Sequence, residues 1–414
     1  MSTQSHSSSS SFGSAKSSGP SSSGVISSSS SSGEYFIELY FYDAQGGFPD
    51  NTNIKYRSIV DPGGSKLISA PYADDYTMEW NTDTDTISRV FDISALSKAS
   101  GSHYVDGLVH NGNAYFNPHS AAGYLIGDTT ASPVTYSSVG SAYQVRSGAV
   151  ASNDILYSPT FSGNPGNNVF VRRLDTSTDS MLANLIMPIS RDGPIYYERA
   201  DWETENSTYF GLYNQHWGAI KDANENIVLI PYTLDRIGIV DPVTNTASQG
   251  SDFLTGNSAL PTGPLTSSII NNHPYFHKYC GAAISWLNPS CIYAMGRQAF
   301  SILKIDTSNY SATEIPLPSP LDASNQPDQS RSFSTVLLSN GMIGSVPWQM
   351  PYFFWIDPRN DQITVFDIST NLTSTLVSGN YFSYGVSRNG ATYFPPASSK
   401  RAMKIVTGTT PPAI

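Results

Sequence analysis

Hydrophobic and polar residues alternate in short runs along most of this chain. The runs are rich in Val, Ile, Tyr and Phe, and they end at Gly, Pro, Asn or Asp. Such runs are typical of β-strands, and no window shows the sustained apolar period of an amphipathic helix. The pattern therefore predicts an all-β protein.

One phrase returns seven times along the sequence. It consists of a turn of the Asn-Gly type, a strand that ends in proline, and a hydrophobic strand that ends in aspartate. The clearest copy covers 111–118 and 123–129, and later copies open at Asn340-Gly341 and Asn389-Gly390. Asn-Gly tolerates the positive φ of a tight hairpin turn, and proline, which has no amide hydrogen, belongs at a strand end.

The copies are spaced like the blades of a β-propeller. Prolines recur at 71, 118, 159, 231, 347 and 395, and Met295 stands in the remaining copy. A fourth strand is predicted in five copies, at 86–91, 134–139, 182–187, 313–318 and 362–366. Four short strands in each ~40 to 50 residues are the pattern of a propeller blade. We predict seven blades, with six as the alternative.

Closure of the ring is predicted from the two ends of the repeat region. The last copy ends after its third strand, and an aromatic strand at 35–42 belongs to no copy. We predict that this strand pairs with 401–406, which closes the ring and removes an exposed sheet edge. The alternative is a separate strand outside the ring. The propeller domain would then cover 34–414.

The first 33 residues differ from the rest of the chain, since 19 of them are serine. A segment with so little apolar surface cannot offset the entropy lost on ordering. We therefore predict a Ser-rich flexible tail over 1–33, which acts either as a passive linker or as an anchor to a partner.

Charge and composition limit the partners and the compartment that we expect for the protein. The net charge is −11 and there is no basic run, so nucleic acid is not expected as a partner. No apolar stretch reaches the ~18 residues of a membrane span, and the tail contains no signal-peptide core. The few lysines and the many Tyr, Ser, Thr and Asn residues are nevertheless typical of a protein that acts outside cells. A virion component, made in the host cytoplasm and released by lysis, fits both observations, with an extracellular protein as the alternative.

Catalytic motifs are missing from the sequence. There is no nucleophile elbow, phosphate-binding loop, dinucleotide fingerprint or zinc-type cysteine pair, so we expect no metal, no cofactor and no catalytic residue. Cys280 and Cys291 flank one predicted hairpin but are out of register. They are predicted to be buried thiols rather than a disulfide.

Two regions are candidates for ligand binding. The first is the funnel where the inner strands begin, with a polar and aromatic set taken mostly from residues just before inner-strand glycines: Asp106, Arg146, His216, Trp217, Arg331 and Tyr384. Such a ring could hold a sugar or another small polar ligand, or it could line a water-filled channel.

The second region is a long insertion at 190–217, which concentrates aromatic and acidic residues. Trp202, Tyr209 and Tyr213 are its ligand-binding candidates. Long inserted loops often carry recognition. The alternative is a cap whose aromatic rings pack inward. A carboxylate pair could in principle hydrolyse a glycoside, but no motif specifies one.

The copies from Asn340-Gly341 to Pro347 and at 239–244 resemble a repeat of β-propeller proteins found among phage, large-virus and microbial sequences. Polyserine tails before such modules are similar to those of phage structural proteins. The resemblance implies a non-enzymatic virion structural protein of a tail, fibre or capsid decoration, which attaches to a host surface or to neighbouring subunits. Its partners would be other virion proteins through tail 1–33, and a host-surface glycan or protein. The alternative is a secreted propeller that binds carbohydrate or cleaves glycosides.

Overall fold

The computed structural model describes part of the chain, namely residues 22–30, 33–43, 56–96, 103–140, 144–160, 169–187, 216–232, 236–252, 278–322, 330–372, 381–397 and 401–411. Within these residues the protein is an all-β ring of seven antiparallel sheets. The first two strands, β1 (Ser22–Ser30) and β2 (Gly33–Asp43), form a hairpin. The seven-bladed prediction is confirmed.

Blades 1 to 4 follow one another along the chain. Blade 1 contains β3 (Lys66–Ser69), β4 (Tyr76–Asn81) and β5 (Thr86–Asp92). Blade 2 contains β6 (Tyr104–His110), β7 (Asn113–Pro118), β8 (Tyr124–Asp128) and β9 (Thr135–Val139). Blade 3 contains β10 (Ala149–Val150), β11 (Ile155–Pro159), β12 (Val169–Asp175) and β13 (Ser180–Met187). Blade 4 contains β14 (His216–Lys221), β15 (Ile227–Pro231), β16 (Arg236–Asp241) and β17 (Thr246–Asp252).

Blades 5 to 7 complete the ring. Blade 5 contains β18 (Ala283–Ser285), β19 (Asn288–Ala294), β20 (Ser301–Asp306) and β21 (Ala312–Pro316). Blade 6 contains β22 (Ser332–Leu337), β23 (Ile343–Pro347), β24 (Tyr352–Asp357) and β25 (Gln362–Asp367), followed by the short helix α1 (Ser369–Leu372). Blade 7 contains β26 (Val386–Arg388), β27 (Ala391–Phe394) and β28 (Arg401–Val406). The predicted fourth strands are β5, β9, β13, β21 and β25.

The N-terminal hairpin closes the ring, as predicted. β2 pairs with β28 from Glu38 opposite Val406 to Asp43 opposite Arg401, and β1 lies outside β2 in the same sheet. Leu39 and other β2 side chains are buried in the core between blades 6 and 7. Burial of one such side chain contributes about 1.5 to 3 kcal/mol.

The serine-rich segment was expected to be flexible through residue 33, whereas its residues 22–30 form β1. The backbone of β1 pairs with β2 over its whole length, from Ser22 opposite Phe41 to Ser30 opposite Gly33. The pairing satisfies the backbone groups along the outer edge of β2, and any sequence can provide such bonds. Residues 1–21, 31 and 32 lie outside the described residues.

The repeated phrase corresponds to repeated turn chemistry. Asn111 and Gly112 both have positive φ, 48° and 78°, as a tight hairpin between strands 1 and 2 requires. The terminal aspartate caps the turn between strands 3 and 4 in blades 2 to 6, and Asn81 does so in blade 1. The carboxylates of Asp175 and Asp306 accept hydrogen bonds from backbone amides two residues later, at 2.9 and 2.8 Å. The local sequence therefore specifies both hairpins.

A recurring contact joins neighbouring blades, and we call it the latch. A tyrosine from strand 2 and a basic residue from strand 3 of one blade bind the left-handed turn residue of the next. Between blades 5 and 6, the Tyr293 hydroxyl lies 2.9 Å from Asp361 Oδ1 and Lys304 Nζ lies 2.6 Å from Asp361 Oδ2. Asp361 has a φ of 60°.

The same latch recurs around the ring. Tyr115 reaches Asp179 at 3.2 Å, and Arg173 reaches Asn245 at 2.9 Å. Lys404 of blade 7 reaches Asp85 of blade 1 at 2.8 Å, so a latch also spans the point where the ring closes.

Cys280 and Cys291 are free and buried, as predicted. Among the described residues no helix is long and apolar enough to span a membrane.

Candidate ligand-binding site on the propeller axis

A cavity of about 360 Å³ lies where the inner strands converge, and it is open to solvent. All seven blades line it, through residues 59–61, 106–109, 147, 219, 281–282, 334–335 and 384–386. The cavity therefore occupies the propeller axis, at the end nearer the turns between strands 1 and 2.

Glycine lets the inner strands approach one another at this axis. A Cβ at Gly218 would lie 3.1 Å from the Cα of Gly281. Gly281 itself has a φ of 65°, and a Cβ there would lie 2.8 Å from the backbone nitrogen of Thr335. Only glycine permits these contacts, which explains the glycine at the start of most inner strands.

Three polar residues from three blades meet at the inner end of the cavity. Asp106 of blade 2 has a φ of 53°, and its Oδ1 accepts a hydrogen bond of 2.8 Å from the amide of Gly107. The hydroxyls of Ser147 in blade 3 and Tyr384 in blade 7 are 3.4 Å apart. We call Asp106, Ser147 and Tyr384 the axial triad.

Burial controls the protonation of the triad. It raises the pKa of Asp106 to about 6, while hydrogen bonds from Ser147 and Gly107 oppose the rise. Burial, followed by the charge of Asp106, raises the pKa of Tyr384. The carboxylate is thus mostly ionised at neutral pH, and the two hydroxyls can donate or accept. This arrangement can bind a hydroxyl or another small polar group.

Arginine and aromatic side chains pack at the end of the axis where the inner strands begin. The guanidinium carbon of Arg146 lies 4.0 Å from the ring centre of Trp217, and that of Arg57 lies 3.9 Å from the ring centre of Tyr72. Phe333 contacts Trp217 edge to face at 5.5 Å and Tyr384 at 5.6 Å. Tyr384 therefore belongs to both the cavity and this packed end.

The structure brings four of the predicted residues together near the axis. Asp106 and Tyr384 line the cavity, and Arg146 and Trp217 lie in the packed end. His216 is instead buried in blade 4 beside the backbone of Arg236, and burial lowers its pKa to about 3.

Arg331 is used in packing between blades 5 and 6. Its Nε donates to the Leu321 carbonyl at 2.6 Å and its Nη1 to the Gln298 carbonyl at 3.1 Å. Its guanidinium also lies over Phe300, at 4.1 Å. Trp202, Tyr209 and Tyr213 lie outside the described residues. No group of three or more metal-ligating side chains occurs in the part of the chain that the structure describes.

The sequence places Ser147 beside Arg146 in the predicted funnel, although Ser147 is not among the ligand-binding candidates. Sequence reasoning missed Arg57 and Arg297 as axial residues. An Arg-Ser pair at 57–58, 146–147 and 331–332 is a sequence signal that could have found Arg57. Arg297 lies in the connection between strands 2 and 3 of blade 5, where no repeat position marks it.

No protein-family model matches the sequence, and no curated protein matches it. Solved propellers are similar in fold. A catalytically inactive virginiamycin B lyase from Staphylococcus aureus, solved with quinupristin, has a TM-score of 0.60 at 11% identity, covering 89% of this chain and 99% of the lyase. The WD40 repeats of RRP9 have a TM-score of 0.55 at 10% identity, covering 92% and 99%.

The extracellular domain of a hybrid two-component system from B. thetaiotaomicron has a TM-score of 0.53 at 12% identity, covering 89% of this chain and 43% of that one. At these identities the likeness shows the fold alone, because one propeller fold carries many unrelated functions. The chain is a seven-bladed β-propeller.

Proposed function

We propose that this propeller is a non-enzymatic attachment protein that binds a small hydroxyl-rich group, such as a sugar of a surface glycan, in its axial cavity. The observation that carries the proposal is the axial triad, in which Asp106, Ser147 and Tyr384 from three blades meet in one open cavity. The cavity volume of about 360 Å³ lies within the range of roughly 300 to 1,000 Å³ that is typical of small-molecule sites.

The second carboxylate on the cavity lining favours binding over hydrolysis. Asp61 Oδ1 lies 3.1 Å from Arg388 Nη1 and accepts a hydrogen bond of 2.8 Å from the amide of Gly63. A glycosidase needs two carboxyl groups free to act as acid and base or nucleophile. Because Asp61 is held in an ion pair, Asp106 has no free partner of this kind on the lining.

The position of β1 supports attachment. Ser22, the first residue of β1, pairs with Phe41 of β2. Phe41 in turn pairs with Met403, near the start of β28. The chain thus enters blade 7 at the end away from the turns between strands 1 and 2. The cavity lies toward those turns, so a tether that precedes Ser22 would leave it unobstructed. We propose a virion as the setting, with other virion proteins bound through the serine-rich tail.

Binding is tested with the purified full chain on a glycan array, followed by calorimetry of each sugar that binds. Asp106→Asn and Tyr384→Phe should each weaken binding by about tenfold or more, because hydrogen bonds to a charged group are worth roughly 1.5 to 3 kcal/mol. Asp128→Asn, in an exposed turn away from the cavity, should bind like the unaltered protein. If no glycan binds, or if Asp106→Asn binds equally well, the axial cavity is a water-filled channel and the proposal is wrong.

The virion setting is tested by electron microscopy of particles that carry a labelled chain, compared with a variant lacking residues 1–21. This deletion keeps β1 and therefore keeps the closed blade. Label should occupy fixed positions on particles and disappear with the deletion. If no particle carries label, the virion setting is wrong, although glycan binding could still be measured.

A further inference from the structure

Three arginines meet near the end of the axis where the inner strands begin, and none of them lines the cavity. We call Arg57, Arg146 and Arg297 the arginine cluster. Arg146 is buried, and Arg57 and Arg297 are partly exposed. The cluster occurs in a chain whose net charge is −11, so a general excess of basic residues does not explain it.

The environment of Arg57 is the most informative. The face of its guanidinium lies 3.9 Å from the ring centre of Tyr72, with Phe333 and Trp348 at 5.1 and 5.5 Å. Among the described residues it has no hydrogen-bond acceptor and no carboxylate partner, and its Nε is buried without an acceptor. Aromatic rings therefore cover the faces of the cation, and its two Nη groups have no acceptor among the described residues.

Arg297 and Arg146 share the rings of Trp217. Arg297 lies 5.0 Å from the ring centre of Trp217 and donates from Nη1 to the Tyr232 hydroxyl at 2.5 Å. Its Nε is buried and has no acceptor in the described part of the chain. Arg146 lies 4.0 Å from the same ring centre. Burial, followed by the charge of Arg57, lowers the pKa of Arg146 to about 9.

Several basic residues elsewhere in the ring pair with carboxylates, whereas the buried Arg331 donates to backbone carbonyls. Arg89 lies 2.6 Å from Asp74, Arg388 lies 3.1 Å from Asp61, and Lys404 lies 2.8 Å from Asp85. Like charges gathered in a desolvated site are unfavourable unless an anion offsets them. Arg57, which has no acceptor among the described residues, and the buried Nε of Arg297 therefore require an explanation that packing alone does not provide.

We propose that the arginine cluster is a second site, separate from the axial cavity, that binds a small oxyanion such as a carboxylate, sulfate or phosphate group. A guanidinium edge presents parallel N–H donors that match two oxygens of such a group, and charge-assisted bonds of this kind are strong. Trp217 and Phe333 would contact the apolar body that carries the anion. The proposal does not depend on sugar binding in the cavity.

The test measures thermal unfolding of the full chain in sodium acetate, sulfate or phosphate, with sodium chloride keeping the ionic strength constant. A bound anion should raise Tm in proportion to the logarithm of its concentration above Kd, by about 3 °C at a concentration of roughly 100 times Kd. Comparison of the three salts distinguishes a planar carboxylate from a tetrahedral anion. Calorimetry with the most effective salt gives Kd and stoichiometry.

Two variants make the test specific. Arg57→Gln should abolish the anion response and should itself unfold at a higher temperature in chloride alone, because it removes one of three like charges. Arg297→Gln should weaken anion binding at least tenfold. This variant replaces Arg57→Gln in the test if Arg57→Gln does not fold. Arg173→Gln, in the latch, should keep the full response.

The proposal is overturned if Tm rises linearly with salt concentration for all three salts, or if it rises equally in Arg57→Gln. Either result would mean a general salt effect on the exposed surface. A loss of stability in Arg57→Gln together with an unchanged anion response would assign the cluster to packing.

Discussion

The latch and the axis differ in the partners of their charged side chains. In the latch, Lys304 and Tyr293 both bind Asp361, and Lys404 binds Asp85 with both carboxylate oxygens. At the axis, Asp106 is partly buried, and among the described residues neither its carboxylate nor the guanidinium of Arg57 has an ion-pair partner. Paired charges join neighbouring blades, whereas an unpaired charge costs stability and marks a candidate site for a ligand.

The two regions also differ in how they relate to the repeat. Latch residues recur at equivalent positions in several blades, as Tyr115, Tyr157 and Tyr293 do. The axial triad instead takes one repeat position, directly before an inner-strand glycine, and has a different residue type there in each of three blades. The repeat therefore specifies the ring, and departures from it specify the candidate site.

The largest effect is expected from Asp106→Asn, which should stabilise the protein at pH 7.5 by up to about 3 kcal/mol. The folded-state pKa is raised from 3.8 to about 6, so the folded protein binds more protons than the unfolded one between these values. The free energy of unfolding therefore falls as pH rises through this window. Asn also tolerates the positive φ at this position.

Urea unfolding at pH 7.5 and at pH 4 tests this predicted pH dependence of the stability gained by Asp106→Asn. The gain should be largest at pH 7.5 and small at pH 4, where Asp106 is largely protonated in the folded protein. Asp128→Asn is the matched control, because turn hydrogen bonds, first from the Thr130 hydroxyl, lower the pKa of that exposed carboxyl. It should have the opposite sign, a slight loss at pH 7.5 that fades as pH falls. A destabilised Asp106→Asn protein at pH 7.5 would contradict the contrast between axis and latch.

A smaller effect is expected from Tyr293→Phe, which should destabilise the protein by about 1 kcal/mol. The substitution removes hydrogen bonds of 2.9 Å to Asp361 and 3.3 Å to the Pro358 carbonyl in the next blade. Tyr352→Phe is the control, because that hydroxyl has no hydrogen-bond partner among the described residues, and its effect should stay within about 0.5 kcal/mol. Equal effects in denaturant titrations would show that the latch hydroxyl contributes nothing specific.

The smallest effect is expected from Lys404→Gln, at about 0.2 to 1 kcal/mol, because partly exposed ion pairs contribute little. The pair with Asp85 joins the last blade to the first, at 2.8 Å. Lys66 pairs with Glu79 at the same distance, 2.8 Å, but within one blade, so Lys66→Gln is the matched comparison. The Lys404→Gln effect should shrink in 1 M salt, where screening is strong. A loss of stability that is independent of salt concentration would indicate that the aliphatic part of Lys404 acts through packing rather than through its charge.

Position before an inner-strand glycine predicted Asp106, Arg146, Trp217 and Tyr384 as axial residues, but it could not separate them from His216. Strand alternation sends neighbouring side chains to opposite faces, so a small shift in register places a residue in the blade rather than on the axis. The sequence pattern did not predict Arg57, because blade 1 has two isolated bridges in place of an inner strand, Tyr56 to Pro71 and Val60 to Ile68.

By itself the sequence determined the blades, their hairpins and the closing strand, because strand alternation, Asn-Gly turns and aspartate caps act over a few residues. Only the tertiary structure decided which side chains meet at the axis. Ser147 and Tyr384 are 237 residues apart in the chain and come together because seven blades close on one line. The docking of β1 on β2 was likewise decided by the fold, since an open strand edge selects a partner by backbone geometry rather than by side chains.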